Sequence, residues 1–235
     1  RDLYDIHCHI LPGVDDGAKD MDMALSMIEK EIDAGVETII LTPHFRKEMF
    51  EPDMEDIWSA YDTLVDETRN RNIRLYLGCE FHANMEMVET LDRDFRPTLA
   101  DSRYVLTEFS SSSTRAFIKE RADALLTAGY YPIIAHIERY RALRKDFDFI
   151  ADLIEMGCDM QVNADAVIGR NGLGAQRFCK KLMQEDMLHY VASDAHNLRG
   201  RASHMEECCE YLKKHMGRLY TSRIMRDNPS KIVET

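Results

Sequence analysis

No stretch of this 235-residue sequence approaches the ~20 consecutive apolar residues of a membrane-spanning helix. No basic, apolar and small-residue signal segment opens it either, so a cytoplasmic address with no membrane insertion is expected. Linkers rich in glycine, serine or proline are missing, as are low-complexity tracts, and residues 1–235 therefore read as one domain with a short tail from about 220 to 235. The six cysteines, Cys8, Cys79, Cys158, Cys179, Cys208 and Cys209, follow no framework spacing and read as reduced thiols. None is followed six positions later by arginine, which removes the Cys-x5-Arg phosphate loop of cysteine-based phosphatases. Positive charge is also short: 30 Lys and Arg stand against 42 Asp and Glu, a net of -12 that disfavours nonspecific binding to nucleic acid or an anionic membrane. An anionic substrate would then need divalent cations to invert the local field.

What the chain does have is an alternation of short β-type runs with helical periodicity. Strands are expected at Leu3 to His7, Thr38 to Leu41, Arg74 to Gly78, Tyr104 to Glu108, Pro132 to Ala135, Met160 to Val162 and His189 to Ala192. Amphipathic helices are expected at Met21 to Ala34, Asp53 to Arg71, Thr114 to Ala128, Phe147 to Glu155, Gln176 to Glu185 and Ser203 to Met216. The tail from Tyr220 reads as a short helix and a ragged end. Seven such units predict a closed or nearly closed parallel α/β barrel, with a doubly wound sheet as the alternative. In both, chemistry belongs at the C-terminal ends of the strands.

Those ends repeatedly carry His, Asp or Glu. The first strand runs into His7 and His9, whose alternate spacing aims both imidazoles at one face, with Asp15-Asp16-Gly17 in the following loop. Later ends supply Thr42-Pro43-His44, Gly78-Cys79-Glu80, Glu108, Ala135-His136 and Ser193-Asp194-Ala195-His196. The nine candidates, His7, His9, Asp16, His44, Glu80, Glu108, His136, Asp194 and His196, exceed what one tetrahedral zinc can use, so two or three ions are expected. Imidazole with carboxylate suits Mn, Fe or Zn. Cys8 points away from the His7 and His9 face, and both it and Cys79 are expected to pack.

The ordered set His-x-His, Asp-Asp-Gly, Thr-Pro-His, Gly-x-Glu, Glu108, Ala-His-x-Glu-Arg-Tyr and Ser-Asp-x-His resembles the polymerase and histidinol phosphatase (PHP) superfamily. Asp5 to Gly17 and Asn197-Leu198-Arg199-Gly200-Arg201 are most similar to the metal-dependent protein tyrosine phosphatases of Gram-positive capsule and exopolysaccharide loci, the CpsB/CapC-like group. The resemblance covers the chain to about Met216. It implies a distorted (β/α)7 TIM-like barrel with three divalent metals, most often manganese, with Fe, Zn or Co as alternatives. It also implies that His7, His9, Glu80 and Asp194 hold one ion, that Glu80 bridges to a second with His44 and His136, and that Asp16, Glu108 and His196 complete the third region. Arg139 and Arg201 match arginines that contact the phosphoryl group. Departures are Ile137 in place of a proline, Cys8 in place of a small polar residue and Arg199 in place of an acidic one.

The reaction expected on this basis is in-line attack of a metal-bridging hydroxide on a phosphotyrosyl phosphorus, with no phosphoenzyme. The implied partner is a phosphotyrosyl protein such as a bacterial tyrosine autokinase tail. Asp20-Met21-Asp22 and Asp92-Arg93-Asp94 have the spacing of a phosphoaspartate motif but read as cap and surface residues. Arg139 could instead pair with Glu138. Met49, Phe50, Phe81, Met85 and Met87 could form an apolar wall for a tyrosine ring, and His82 could line the cleft, whereas His189, His204 and His215 read as structural. Competing functions are a histidinol-phosphate or other small-molecule phosphoesterase, a nuclease-like domain, and a non-catalytic module that binds a kinase tail.

Overall fold

The computed structural model describes residues 2–234. Its strands are β1 Leu3–Cys8, β2 Val36–Leu41, β3 His44–Phe45, β4 Arg74–Leu77, β5 Glu80–His82, β6 Tyr104–Glu108, β7 Tyr131–Ile134, β8 Asp159–Asn163 and β9 Tyr190–Ala192. Strands β1, β2 and β4 form one parallel sheet; β3, β5, β6, β7, β8 and β9 form the other. Pro43, which has no amide hydrogen to give a ladder, separates β2 from β3. The stave nevertheless continues, because the Glu80 amide donates to the Pro43 carbonyl and that of Gly78 to Leu41. Counting β2 with β3 and β4 with β5, the strands make the seven staves expected from sequence. Backbone bonds from Asp194 to the His7 carbonyl and from His9 to the Ala195 carbonyl, each 2.8 Å, close β1 against the end of β9.

Outer helices cover this sheet as the periodicity predicts. Met21–Asp33 buries Ala24, Met27 and Ile28, and its first turn is capped by Asp20, whose carboxylate accepts from the Met23 amide. Gly35, at φ 87, turns the chain out of that helix and into β2. Thr114 and Asp146 cap Arg115–Thr127 and Phe147–Met156 in the same way. Between helices and sheet lies the larger core; the barrel interior is a separate layer formed by Tyr4, Ile6, Ile40, Leu106, Ile133 and Tyr190.

Two departures from the sequence reading matter. Below β5 the third and fourth staves are not hydrogen-bonded, because pairing joins β5 to β6 but not β4 to β6. Leu99, fully buried, fills that part of the interior. The tail is not a ragged end: Arg218–Ser222, a wide turn at Arg223–Asp227 and Asn228–Val233 are helical, and Ile224, Met225 and Ile232 are fully buried. Ile232 enters the inner layer beside Leu99 and closes the barrel floor. Thr235 lies outside the described residues. Among the described residues no helix is long and apolar enough to cross a membrane.

Candidate metal centre

Strand alternation does for His7 and His9 what was expected. Both imidazoles are fully buried at the barrel mouth, while Cys8 between them turns outward to donate to the Ile40 carbonyl. His7 Nε2 lies 3.2 Å from Glu80 Oε2 and 3.4 Å from Asp194 Oδ1; His9 Nε2 lies 3.1 and 3.3 Å from the same oxygens. His44 Nδ1 approaches Glu80 Oε2 at 3.0 Å, and His136 Nε2 approaches Glu80 Oε1 at 2.8 Å and Glu108 Oε2 at 3.4 Å. Asp16 Oδ1 stands 3.4 Å from both His44 Nε2 and His196 Nε2. All nine candidates therefore meet at one end of the barrel. Two of them, His136 at φ 34 and Asp194 at φ 50, occupy left-handed backbone conformations, a strain that residues other than glycine accept mainly where the surroundings demand it.

The ligand atoms fall into three overlapping sets, each within 4.8 Å: His7, His9, Glu80 and Asp194; His9, Asp16, His44 and His196; and His44, Glu80 and Glu108. The first is the grouping expected from sequence. Glu108 differs, because it stands with His44, Glu80 and His136 rather than with Asp16 and His196. Its side chain projects from the end of β6, and β6 pairs with the strand that carries Glu80.

The donor set fits cations of the kind the sequence implied. His7, His9 and His196 present Nδ1 to oxygen acceptors: Gln161 Oε1 at 3.1 Å, Asp15 Oδ2 at 2.8 Å and the Asp194 carbonyl at 2.8 Å. With the hydrogen on Nδ1, each Nε2 keeps its lone pair. Those three Nε2 atoms, and Glu80 Oε2 facing two of them, are buried without a hydrogen-bond partner. Buried acceptors aimed at acceptors require a cation between them.

Without a metal, protons serve that purpose. Burial alone would lower the His136 pKa, but Glu108 and Glu80 outweigh it and raise it to about 10; for His44, Glu80 and Asp16 do the same, to about 9. Burial pushes the Asp194 carboxyl up, yet His7, His9 and Arg139 hold it well below the usual range. Histidines raised above their ordinary ~6.5 stabilise the folded state fully below that pH and lose the contribution as pH climbs through the folded values. Thermal scans in chelator should therefore show the melting temperature falling between about pH 6.5 and 10. Metal should recover more stability at pH 9 than at pH 7, because fewer protons must leave. A flat chelated profile would show that these histidines are not the charge partners of Glu80 and Glu108.

Several positioning groups escaped the sequence reading. Gln161 on β8 accepts from the His136 amide as well as facing His7, and passes a bond through Asn163 to Asp194 Oδ2. Gln and Asn are not typical metal ligands; the signal in the sequence is polar Gln161 and Asn163 alternating with apolar Met160 and Val162. Asp15, seen only as part of a motif, orients His9 and accepts from the His44 amide. Tyr140 sets its hydroxyl 3.2 Å from His136 Nδ1. Asp5, in the middle of β1, accepts from the Ser193 hydroxyl and amide and so fixes the turn before Asp194.

Arg139 does not pair with Glu138. Its Nη2 lies 3.0 Å from Asp194 Oδ2, and Arg201 Nη2 reaches the same oxygen at 3.1 Å; the two side chains remain 40% and 43% exposed at the mouth. The Arg199 backbone amide donates to Asn197 Oδ1. The apolar wall is smaller than expected, because Phe81 and Met87 are core residues, leaving Met49 and Met85 exposed and Phe50 stacked on His44 at 4.9 Å. His82 is half-buried beside Ser110 Oγ, and His204 and His189 bond Asp165 and the Met160 amide as structural residues do. All six cysteines are buried and outside any disulfide, and burial pushes the Cys8 and Cys79 thiols well up, leaving them uncharged.

Fold and site together define a parallel α/β barrel with a histidine and carboxylate cluster fit to hold metal in its mouth. The chain belongs to the CpsB/CapC family of capsular polysaccharide synthesis, whose model matches residues 3–234. It is 35% identical to the tyrosine-protein phosphatase CpsB of Streptococcus pneumoniae over 239 residues, covering 98% of each chain. It is 32% identical to the tyrosine-protein phosphatase YwqE of Bacillus subtilis, covering 92% of this chain and 85% of that one. A crystal structure from work on those two proteins, described as unique metal-dependent tyrosine phosphatases, superposes with a TM-score of 0.92 at 29% identity over 99% of this chain and 94% of the other. The histidinol phosphate phosphatase of Lactococcus lactis shares the fold, with a TM-score of 0.62 at 12% identity over 92% of this chain and 94% of that one.

Proposed function

We propose that this protein is a metal-dependent phosphatase that hydrolyses phosphotyrosyl side chains of a protein substrate, and that its nine histidines and carboxylates hold three divalent ions, manganese by preference. The observation that carries the reading is the convergence of lone-pair imidazole nitrogens and buried carboxylate oxygens beside two half-exposed arginines. Family membership and the activity of relatives of similar length support it. Divalent ions in such a centre acidify water and draw charge from phosphoryl oxygens.

The chain's own groups do the rest. Arg139 and Arg201 present planar guanidinium forks to the mouth and can take two phosphoryl oxygens while keeping their hold on Asp194. Asp15, Gln161 and Tyr140 hold His9, His7 and His136 in fixed orientation, so the donor set need not reorganise during turnover. Phe50, stacked on His44, with Met49 and Met85 nearby in sequence to the mouth, offers apolar surface to an aryl ring. The departing phenolate, of pKa ~10, leaves without a strong general acid. A tyrosine kinase whose phosphorylation controls capsule or exopolysaccharide synthesis is the substrate this family membership favours.

The test compares manganese-loaded protein on a phosphotyrosyl peptide and on histidinol phosphate. Turnover of the peptide with little of histidinol phosphate is expected; the reverse preference would overturn the assignment. In Arg139→Ala, metal content should stay at the wild-type level while kcat/KM falls about 100-fold, the scale of losing one preorganised charge-stabilising donor. Loss of metal in that variant would make Arg139 a support for Asp194 and nothing more.

A further inference from the structure

Outside the metal centre the chain gathers Arg141, Arg144, Lys145, Arg177 and Lys181 around one cavity of about 780 Å³. No Asp or Glu lines it. In a protein of net charge -12 this is an unusual concentration, and among the described residues none of the five makes an ion pair. Several cations elsewhere on the surface, among them Arg69, Arg93, Arg115 and Arg170, each meet a carboxylate. Five unpaired like charges repel one another, a cost that a protein retains when an anion relieves it. Phe147 and Phe178, 5.5 Å apart, form the apolar floor, and Lys181 Nζ lies 4.2 Å from the Phe147 ring centroid.

The cavity adjoins the proposed phosphatase site. Arg141 opens the helix Arg141–Arg144, two residues after Arg139, and two residues of chain span at most ~7 Å. Tyr140, between them, contacts His136, and the Arg141 amide is tied to the Ser111 carbonyl in the loop after β6. We infer that this cavity binds an acidic segment of the phosphoprotein substrate, about three to six residues from the phosphotyrosine, and so selects among phosphotyrosyl sequences. The inference rests on the phosphatase reading for the identity of the tethered group. Several separated cations match a run of carboxylates better than a single dianion. A long polyanion such as nucleic acid would be opposed by the rest of the surface, whereas a short segment anchored in the metal centre would not.

The test uses two phosphotyrosyl peptides that differ only in flanking Glu or Gln, with full-length manganese-loaded protein. Wild type should prefer the acidic peptide about tenfold in kcat/KM, as several exposed ion pairs acting together allow. Arg144→Glu with Arg177→Glu should erase that preference without altering turnover of free phosphotyrosine. Lys119→Glu with Lys214→Glu, the same charge change on other helices, should retain it. Persistence of the preference in the first variant, or its loss in the second, would overturn the inference. A fluorescent, unphosphorylated Glu-rich peptide provides a readout independent of catalysis: its anisotropy should rise on the metal-free protein and lose most of that rise in R144E/R177E. If no phosphotyrosyl compound were turned over while this binding held, the phosphatase reading would fail and the acidic-peptide site would stand.

Discussion

Glu80→Gln should remove both metal loading and activity while leaving the chain folded. Glu80 is buried at the start of β5, and its two oxygens face His7, His9, His44 and His136 at 2.8 to 3.2 Å. Burial acts to raise its pKa, but His7, His44 and His136 overcome that and hold it well below the usual range. No other carboxylate is shared in this way by two of the three candidate ligand sets. The amide is nearly isosteric, so the core should survive. It carries no charge, and one of its two terminal atoms becomes a donor aimed at imidazole nitrogens. A loss of at least about 1,000-fold in turnover is expected, since about 4 kcal/mol of charge stabilisation disappears with the ions. Elemental analysis should find less than the wild-type metal content. A variant with full metal content and full activity would refute the multinuclear centre.

Gly17→Ala should disable the same site by steric means. A Cβ on Gly17 would stand 2.0 Å from the His9 carbonyl oxygen and 2.5 Å from the His9 Cβ, and the obstacle is backbone rather than a flexible side chain. The loop must be that close because Asp15 reaches back to the His9 Nδ1 and its other oxygen accepts from the Gly17 amide, while the Ala18 amide donates to the His9 carbonyl. Such overpacking costs about 3 kcal/mol, the upper part of the usual range, or roughly 6–12 °C in melting temperature for a domain of this size. His9 and Asp16 would be displaced together, so metal affinity should fall with stability. An alanine variant with wild-type melting temperature and metal content would mean that the loop can open at no cost.

How much of this was legible without a structure depends on whether the information is local. His7 and His9 share a face because side chains alternate along extended chain, and that follows from their being two positions apart at the end of β1. Asp20, Gly35, Thr114 and Asp146 mark helix ends because caps satisfy or redirect backbone within one turn. The seven staves follow from repeated local periodicity, and a parallel barrel carries its C-terminal strand ends to one rim, so the nine ligand candidates could be named as a group. Their partition could not be read in full. Glu108 sits with His44 and Glu80 because its strand lies beside β5, a matter of register between segments 28 residues apart.

The chain by itself thus determined the fold class and which histidines and carboxylates gather at the barrel mouth, both carried by periodicity, spacing and residue type. Only the tertiary structure decided which atoms meet. Gln161 and Asn163 became part of the centre because β8 stands beside β7 and β9. Arg139 turned to Asp194 instead of its sequence neighbour Glu138, since the barrel mouth brings those loops within hydrogen-bond reach. The tail became a floor because Ile232 finds an apolar layer left open where β4 and β6 do not pair. Each of these is a contact between segments distant in sequence, where shape complementarity and the need to satisfy buried polar atoms choose among partners that local sequence leaves equivalent.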